Sequence, residues 1–208
     1  MDHYAKPLPE FTRLEKCLAP YSTPFHLSGE QTLFGDCYDD DHYTLFLQSG
    51  TLTINRQQDD LLVEIITAPF ILGLNAGMAG CGSQYTLIAQ TPCSGFYLPA
   101  DATRSYIQQA HLWRDAFCWL SWNHKMMESR DGQLVGNNSY SQIRSTLLVM
   151  AEWDETLRSR VGVMNYIQRR TRISRSVVAE VLAALRQGNY INMSRGKLVS
   201  INHLPAEY

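Results

Sequence analysis

The chain has 208 residues, a formal net charge of −2 and five cysteines. That length suits one large domain or two small ones. No apolar run approaches the ~18 residues of a membrane span, and the opening MDHYAKPLPE lacks a basic-then-apolar signal segment, so the expected location is the cytoplasm. Cysteines 17, 37, 81, 93 and 118 are odd in number and widely spaced, which in a reducing compartment reads as free thiols rather than a disulfide framework. The near-neutral total hides an imbalance. Residues 1–140 hold 8 Lys/Arg against 15 Asp/Glu, whereas residues 141–208 hold 10 against 5. An acidic front and a basic back suggest two jobs.

In chain order, Pro9 to Leu18 reads as a short helix stopped by Pro20. From about Phe25 to Leu98 the pattern changes to short apolar or alternating runs: Tyr43–Leu47, Thr51–Ile54, Leu61–Ile66, Tyr85–Ala89 and Gly95–Leu98. Turn residues separate them, among them Ser49-Gly50, Asp59-Asp60 and Pro92. Many short strands at this spacing predict a β-sandwich or jelly-roll barrel. Asp36 to His42 is dense in ligand types but matches no calcium loop, and reads as a solvated acidic turn. No His-x-His pair occurs, so neither a barrel metal site nor an enzyme is implied, and the metal and cofactor expectation is none.

A long helix is expected from about Asp101, as N-cap, to Glu128. Ala110, Trp113, Phe117, Leu120, His124 and Met127 recur at alternating intervals of three and four, a heptad-like seam. Such a seam is the pattern by which two helices pack along each other, and it is expected to pair two subunits. Asp131 to Asn138 reads as a hinge, and Ser141 to Glu152 as a further helix.

The basic back is the most informative region. Between Arg158 and Lys197 there are nine Lys/Arg and one acid, Glu180, a balance suited to replacing counterions on phosphates. Val163, Met164, Tyr166 and Ile167 suit a first helix, and Ile173 a plug in a turn. Ser174 is a fitting N-cap for a second helix whose apolar stripe is Val177, Val178, Val181, Leu182 and Leu185, ended by a left-handed Gly188. Arg175, Ser176, Ala179, Glu180 and Ala183 fall on the opposite face, where a recognition helix meets base edges. Arg175 can pair bidentately with guanine and Glu180 can accept from a cytosine amino group, while Ala179 permits close approach. Tyr190–Met193 and Lys197–Ile201, joined by Ser194-Arg195-Gly196, form a hairpin wing with Arg195 and Lys197 at its tip. Arg169, Arg170, Arg172, Arg195 and Lys197 are expected to hold phosphates.

An acidic barrel, a long helix and a C-terminal winged helix-turn-helix, in this order, resemble the cyclic-AMP receptor protein and FNR family of bacterial transcription regulators. The run Ser174-Arg175-Ser176-Val177-Val178-Ala179-Glu180-Val181-Leu182 is similar to that family's recognition helix. The resemblance implies that Arg175 is a base-reading arginine. Glu180 stands where the family often has a second arginine, which implies a different operator. The runs YIQRRTRISRS, LRQGNYI and GKLVSINHLP look like one enterobacterial branch, implying control of oxidative-stress genes.

One departure bears on the ligand. The family's cyclic-nucleotide cassette carries a glutamate and an arginine, and the corresponding stretch here, Phe70 to Gln84, has no Glu, Arg or Lys. No cyclic nucleotide is therefore expected. Cys81 within Gly80-Cys81-Gly82 is a candidate redox switch if exposed, against the alternative of an unreactive thiol, since no Lys, Arg or His flanks it.

The expected fold class is α+β: a cupin-like sensor barrel over 1–100, a long dimerisation helix and hinge over 101–137, and a winged helix-turn-helix over 138–208. The expected partners are double-stranded DNA, a second copy of the chain and RNA polymerase, with no membrane. The alternative is a small-molecule-binding barrel, or a barrel enzyme, whose basic tail reads no sequence.

Overall fold

The computed structural model describes residues 5–33, 42–79 and 85–206, and the chain divides into two compact units, Met1–Met127 and Glu128–Tyr208. Helix α1 (Leu8–Leu18) follows Pro7 and buries Phe11, Leu14 and Leu18 at helical spacing; a single 3₁₀ turn, Ala19–Tyr21, ends it. Among the described residues eight strands come next: β1 (Thr23–Leu27), β2 (Thr32–Leu33), β3 (Tyr43–Ser49), β4 (Thr51–Arg56), β5 (Leu62–Thr67), β6 (Phe70–Leu72), β7 (Tyr85–Ala89) and β8 (Cys93–Pro99), with the short helix α2 (Ala76–Ala79) after β6. They form two antiparallel four-stranded sheets, ordered β1-β8-β3-β6 and β2-β7-β4-β5. This is the expected cupin-like jelly roll.

Every run expected as a strand is one, and β1, β2 and β6 come in addition. Two or three residues are too few to display alternation, and β1 carries Pro24, which suits an edge. Inside the sandwich Phe46 stacks on Phe96 at 4.7 Å between ring centroids. Gly95 lets β8 approach β3 this closely, because a Cβ there would stand 1.9 Å from the Phe46 carbonyl oxygen.

The expected single helix from Asp101 is two helices, α3 (Ala100–Gln109) and α4 (Trp113–Leu134). Pro99, not Asp101, is the N-cap; Asp101 lies in the first turn, 3.6 Å from Arg104. The break falls at His111, which adopts a left-handed φ of 56°. Its cause is the phase of the two buried faces. α3 buries Ile107 and α4 buries Ala116, nine residues on. At about 100° per residue a straight helix would set those two roughly half a turn apart, so one rod cannot bury both. Ala110 caps α3 and is therefore not part of α4.

α4 packs on the first unit through aromatic rings. Trp119 is 0% exposed, with Phe11, Phe70 and Trp122 around it at 5.8, 5.6 and 5.1 Å, and its Nε1 donates to the Ile71 carbonyl at 3.1 Å. The Nε of Arg13 donates to Asp115 at 2.7 Å, tying α1 to α4. The ammonium of Lys6 donates to the carbonyls of Thr67 and Pro69 and lies over the rings of Phe70 and Trp122; burial pulls its pKa below the ordinary lysine value.

α4 runs to Leu134, so the non-helical link is residues 135–138, shorter than the expected hinge at Asp131–Asn138. Gly136 turns it at a φ of 73°. The second unit holds α5 (Ser139–Ala151), α6 (Glu155–Arg160), α7 (Val163–Thr171), α8 (Arg175–Gln187) and the hairpin β9 (Ile191–Ser194) and β10 (Lys197–Ile201). Asn138 caps α5 by accepting from the Ser141 N–H, and Asp154 caps α6 through the Leu157 N–H, both at 2.8 Å. Its core gathers Ile143, Leu147, Met150, Val163, Ile167, Val178, Leu185 and Leu198, all buried. Trp153 packs edge-on against Tyr166 at 4.7 Å. The chain end is fastened by two donors on one carbonyl: the Tyr140 hydroxyl and the Arg144 Nε both reach the Pro205 oxygen at 2.8 Å.

Candidate nucleic-acid interface

α7 and α8 are joined by three residues. Arg172 turns the chain with a left-handed φ of 64°, Ile173 is half-buried at the junction, and Ser174 caps α8. The Ser174 hydroxyl accepts from the Val177 N–H at 3.4 Å. Behind the cap, Val178, Val181, Leu182 and Leu185 are buried and Val177 half-buried, so the expected stripe is the inner face. Arg175, Ser176, Ala179, Glu180 and Ala183 are all exposed on the outer one. Burial of one stripe thus fixes which side chains α8 offers to a groove.

The helix end differs from expectation. Gly188 has an ordinary φ of −74°, and the left-handed residue is Asn189, at 57°. The Tyr190 N–H returns to the Leu185 carbonyl at 2.8 Å, closing a Schellman-type cap around Asn189. Glycine at 188 leaves space for a ring instead: a Cβ there would lie 2.3 Å from the Tyr190 ring, which would have to shift.

The wing turns in two residues, Arg195 and Gly196, with φ of 49° and 79°. Two consecutive positive φ values are the signature of a type I′ hairpin, whose twist matches its strands. Arg195 is exposed at the tip. The Gly196 carbonyl accepts from the Val163 N–H at 3.0 Å, which pins the wing tip to the start of α7. Lys197 is half-buried and its ammonium donates to the Arg160 carbonyl, so part of its donor capacity is spent inside the unit.

The five residues expected at phosphates separate. Arg172 and Arg195 are exposed, and Arg169 and Lys197 are half-buried. Arg170 is only 3% exposed, with Nη1 donating to the Tyr166 hydroxyl at 3.2 Å and Nη2 to the Gln133 Oε1 at 3.1 Å. α7 turns its side chain inward with Tyr166, four residues earlier and on the same face, unlike the exposed Arg172 and Arg195. Two polar groups escaped the sequence reading. Asn192 bridges the wing strands by donating to the Ser200 hydroxyl at 2.9 Å, and Gln133 receives Arg170. Isolated amides carry no periodic signal, so neither was discernible.

On α4, Phe117 is 71% exposed, and Trp113, His124 and Met127 are exposed along the same stripe, away from the buried Trp119. Leu120 is half-buried against the core. Cys81 and most of the acidic turn lie outside the described residues, as does the end of the Phe70–Gln84 stretch. Among the described residues, no helix is long and apolar enough to cross a membrane.

Residues 139–206 match the winged helix-turn-helix DNA-binding family model, a span that runs from α5 through the wing. Two relatives are both named inhibitor of hydrogen peroxide resistance. The protein of Salmonella typhimurium is 52% identical over 204 residues, and that of Escherichia coli 51% over 203, each covering 98% of both chains. Among solved structures, the c-di-GMP responsive global regulator CLP of Xanthomonas campestris superposes with a TM-score of 0.75 over 92% of this chain and 99% of its own, at 15% identity. A CRP/FNR-family transcriptional regulator from Eubacterium rectale gives 0.69 over 92% and 90%, at 14%. Identities that low establish the fold alone. With the relatives at half identity along the whole length, the chain belongs to the family of the inhibitor of hydrogen peroxide resistance, built on the CRP/FNR regulator fold with a DNA-binding winged helix-turn-helix.

Proposed function

We propose that this protein is a cytoplasmic, sequence-specific transcription regulator that binds duplex DNA as a homodimer and acts on oxidative-stress genes, with RNA polymerase as a further partner at its promoters. The observation that carries the reading is the outer face of α8. Arg175, Ser176, Ala179 and Glu180 stand together, exposed, at the N-terminal end of a capped helix whose opposite stripe is buried. In this reading Arg175 pairs with a guanine edge, Glu180 accepts from a cytosine amino group, Ser176 reaches a base edge, and Ser174 lies at the start of the helix beside them. Arg169, Arg172, Arg195 and Lys197 serve phosphates, which position the protein without specifying sequence. The stripe of Trp113, Phe117, Leu120, His124 and Met127 pairs two copies, and a two-fold dimer reads a near-palindrome with half-sites about one helical turn apart. The oxidative-stress assignment draws on the name carried by the relatives. Cys81 is retained as a redox candidate within it.

Selection of the full-length protein on a random duplex library tests the reading. The winner and a scrambled duplex are then titrated across salt. A palindromic winner preferred by at least about 10³-fold is expected of a specific regulator. Equal, steeply salt-dependent binding to both duplexes would refute it, and would leave a basic surface that reads no sequence.

A further inference from the structure

Arg170 lies within the DNA-binding unit yet faces inward, and its surroundings are well defined. Its guanidinium lies 5.9 Å from the Tyr166 ring centre, donates to that residue's hydroxyl, and donates to Gln133 Oε1. Gln133 belongs to the last turn of α4, and its own Nε2 reaches the Ser129 hydroxyl one turn back, at 3.4 Å. Tyr166 is fully buried and held on its edge by Trp153. A buried guanidinium is tolerated only where hydrogen bonds replace its hydration, so the arrangement has one favourable geometry rather than many. Two residues further on, Arg172 makes the left-handed turn that aims α8.

We propose that Arg170 is a positioning residue, whose bond to Gln133 ties the end of α4 to α7 and so fixes the base from which α8 meets DNA. This deepens the regulator reading above and rests on it. Gln133 and Arg170 both lie in the second unit, so the bond steadies the base of the reading element within that unit. Specific recognition needs both α8 helices of a dimer held in register, whereas non-specific attraction to phosphates tolerates loose heads. Loss of the bond therefore erodes discrimination more than overall attraction.

Gln133→Leu is the informative variant, because it removes the acceptor without changing charge. In the full-length protein it is expected to lower preference for the selected operator over a scrambled duplex by about tenfold, a usual size for coupling between linked elements. The slope of affinity against salt should be unchanged, and amide exchange over residues 128–134 should quicken. Gln133→Glu keeps an acceptor and should restore the preference. Arg170→Met should match Gln133→Leu and leave the slope intact. A fall of about one in that slope for Arg170→Met, with Gln133→Leu behaving as wild type, would make Arg170 a phosphate contact and overturn the proposal. Unaltered exchange over 128–134 in Gln133→Leu would overturn it independently of DNA. Absence of any operator preference in the wild type would instead refute the regulator reading, which separates the two failures.

Discussion

Two aromatic residues two positions apart on α4 should behave as opposites. Phe117 is 71% exposed and Trp119 is 0% exposed. Full burial of a phenylalanine is worth about 1.5–3 kcal/mol, so covering the exposed part of Phe117 in a dimer is worth about 1–2 kcal/mol for each copy. A two-fold interface contains the residue twice, which makes the loss in Phe117→Ser about 2–4 kcal/mol per dimer. At 1.4 kcal/mol per decade the dimer dissociation constant should rise roughly 30- to 700-fold. The folded monomer should hardly notice, since exposed substitutions stay within about 0.5 kcal/mol. Trp119→Ala should instead cost about 3–5 kcal/mol in packing, and more for the Ile71 carbonyl that it orphans. Sedimentation velocity over a concentration series reports the first effect and urea unfolding the second. A Phe117→Ser protein that dimerises as tightly as wild type would refute pairing along this stripe. So would one whose weaker association merely tracks a loss of fold.

Arg175→Ala should cost about 1–3 kcal/mol on the selected operator and relax preference at one base pair, whereas Arg195→Ala should weaken all duplexes alike and reduce the salt slope by about one; titration of single-base operator variants distinguishes them. Asn189→Ala should destabilise by about 1–2 kcal/mol because alanine resists the left-handed region, while Asn189→Gly should be close to neutral; urea midpoints of the two variants check this. Cys93 is buried, its single S–H within reach of the Thr51 and Thr91 carbonyls, and burial pushes its thiol pKa up. Raised above the usual thiol value, the group stays protonated and unreactive as pH climbs through that value. Iodoacetamide on the native protein at mildly alkaline pH should therefore spare it, as peptide mass mapping would show.

The second unit was the more legible half. Ser174, the stripe from Val178 to Leu185, and the Arg195-Gly196 turn are local signals, decided by neighbours within one or two turns of chain. The barrel strands were legible where alternation ran for four residues or more, and illegible in β2 and β6, which exist because β7 and β3 pair with them. The break at His111 had no local herald either. It follows from where Ile107 and Ala116 must be buried, which is tertiary information. Arg170 shows the converse: in sequence it is one more base in a basic run, and only the placement of Tyr166 and Gln133 turns it inward. α6, with its Asp154 cap, has a local start signal in the sequence of the same kind as Ser174.

The tryptophans have a practical use that follows from where they sit. Of the four in the chain, Trp113, Trp119 and Trp122 lie in the first unit, and Trp153 alone lies in the second, against Tyr166. Each unit thus carries its own optical reporter. Emission from a Trp153→Phe protein would follow melting of the barrel by itself, and the difference from wild type would follow the DNA-binding unit. Whether the two halves lose their structure together or in sequence can then be watched without a single attached dye.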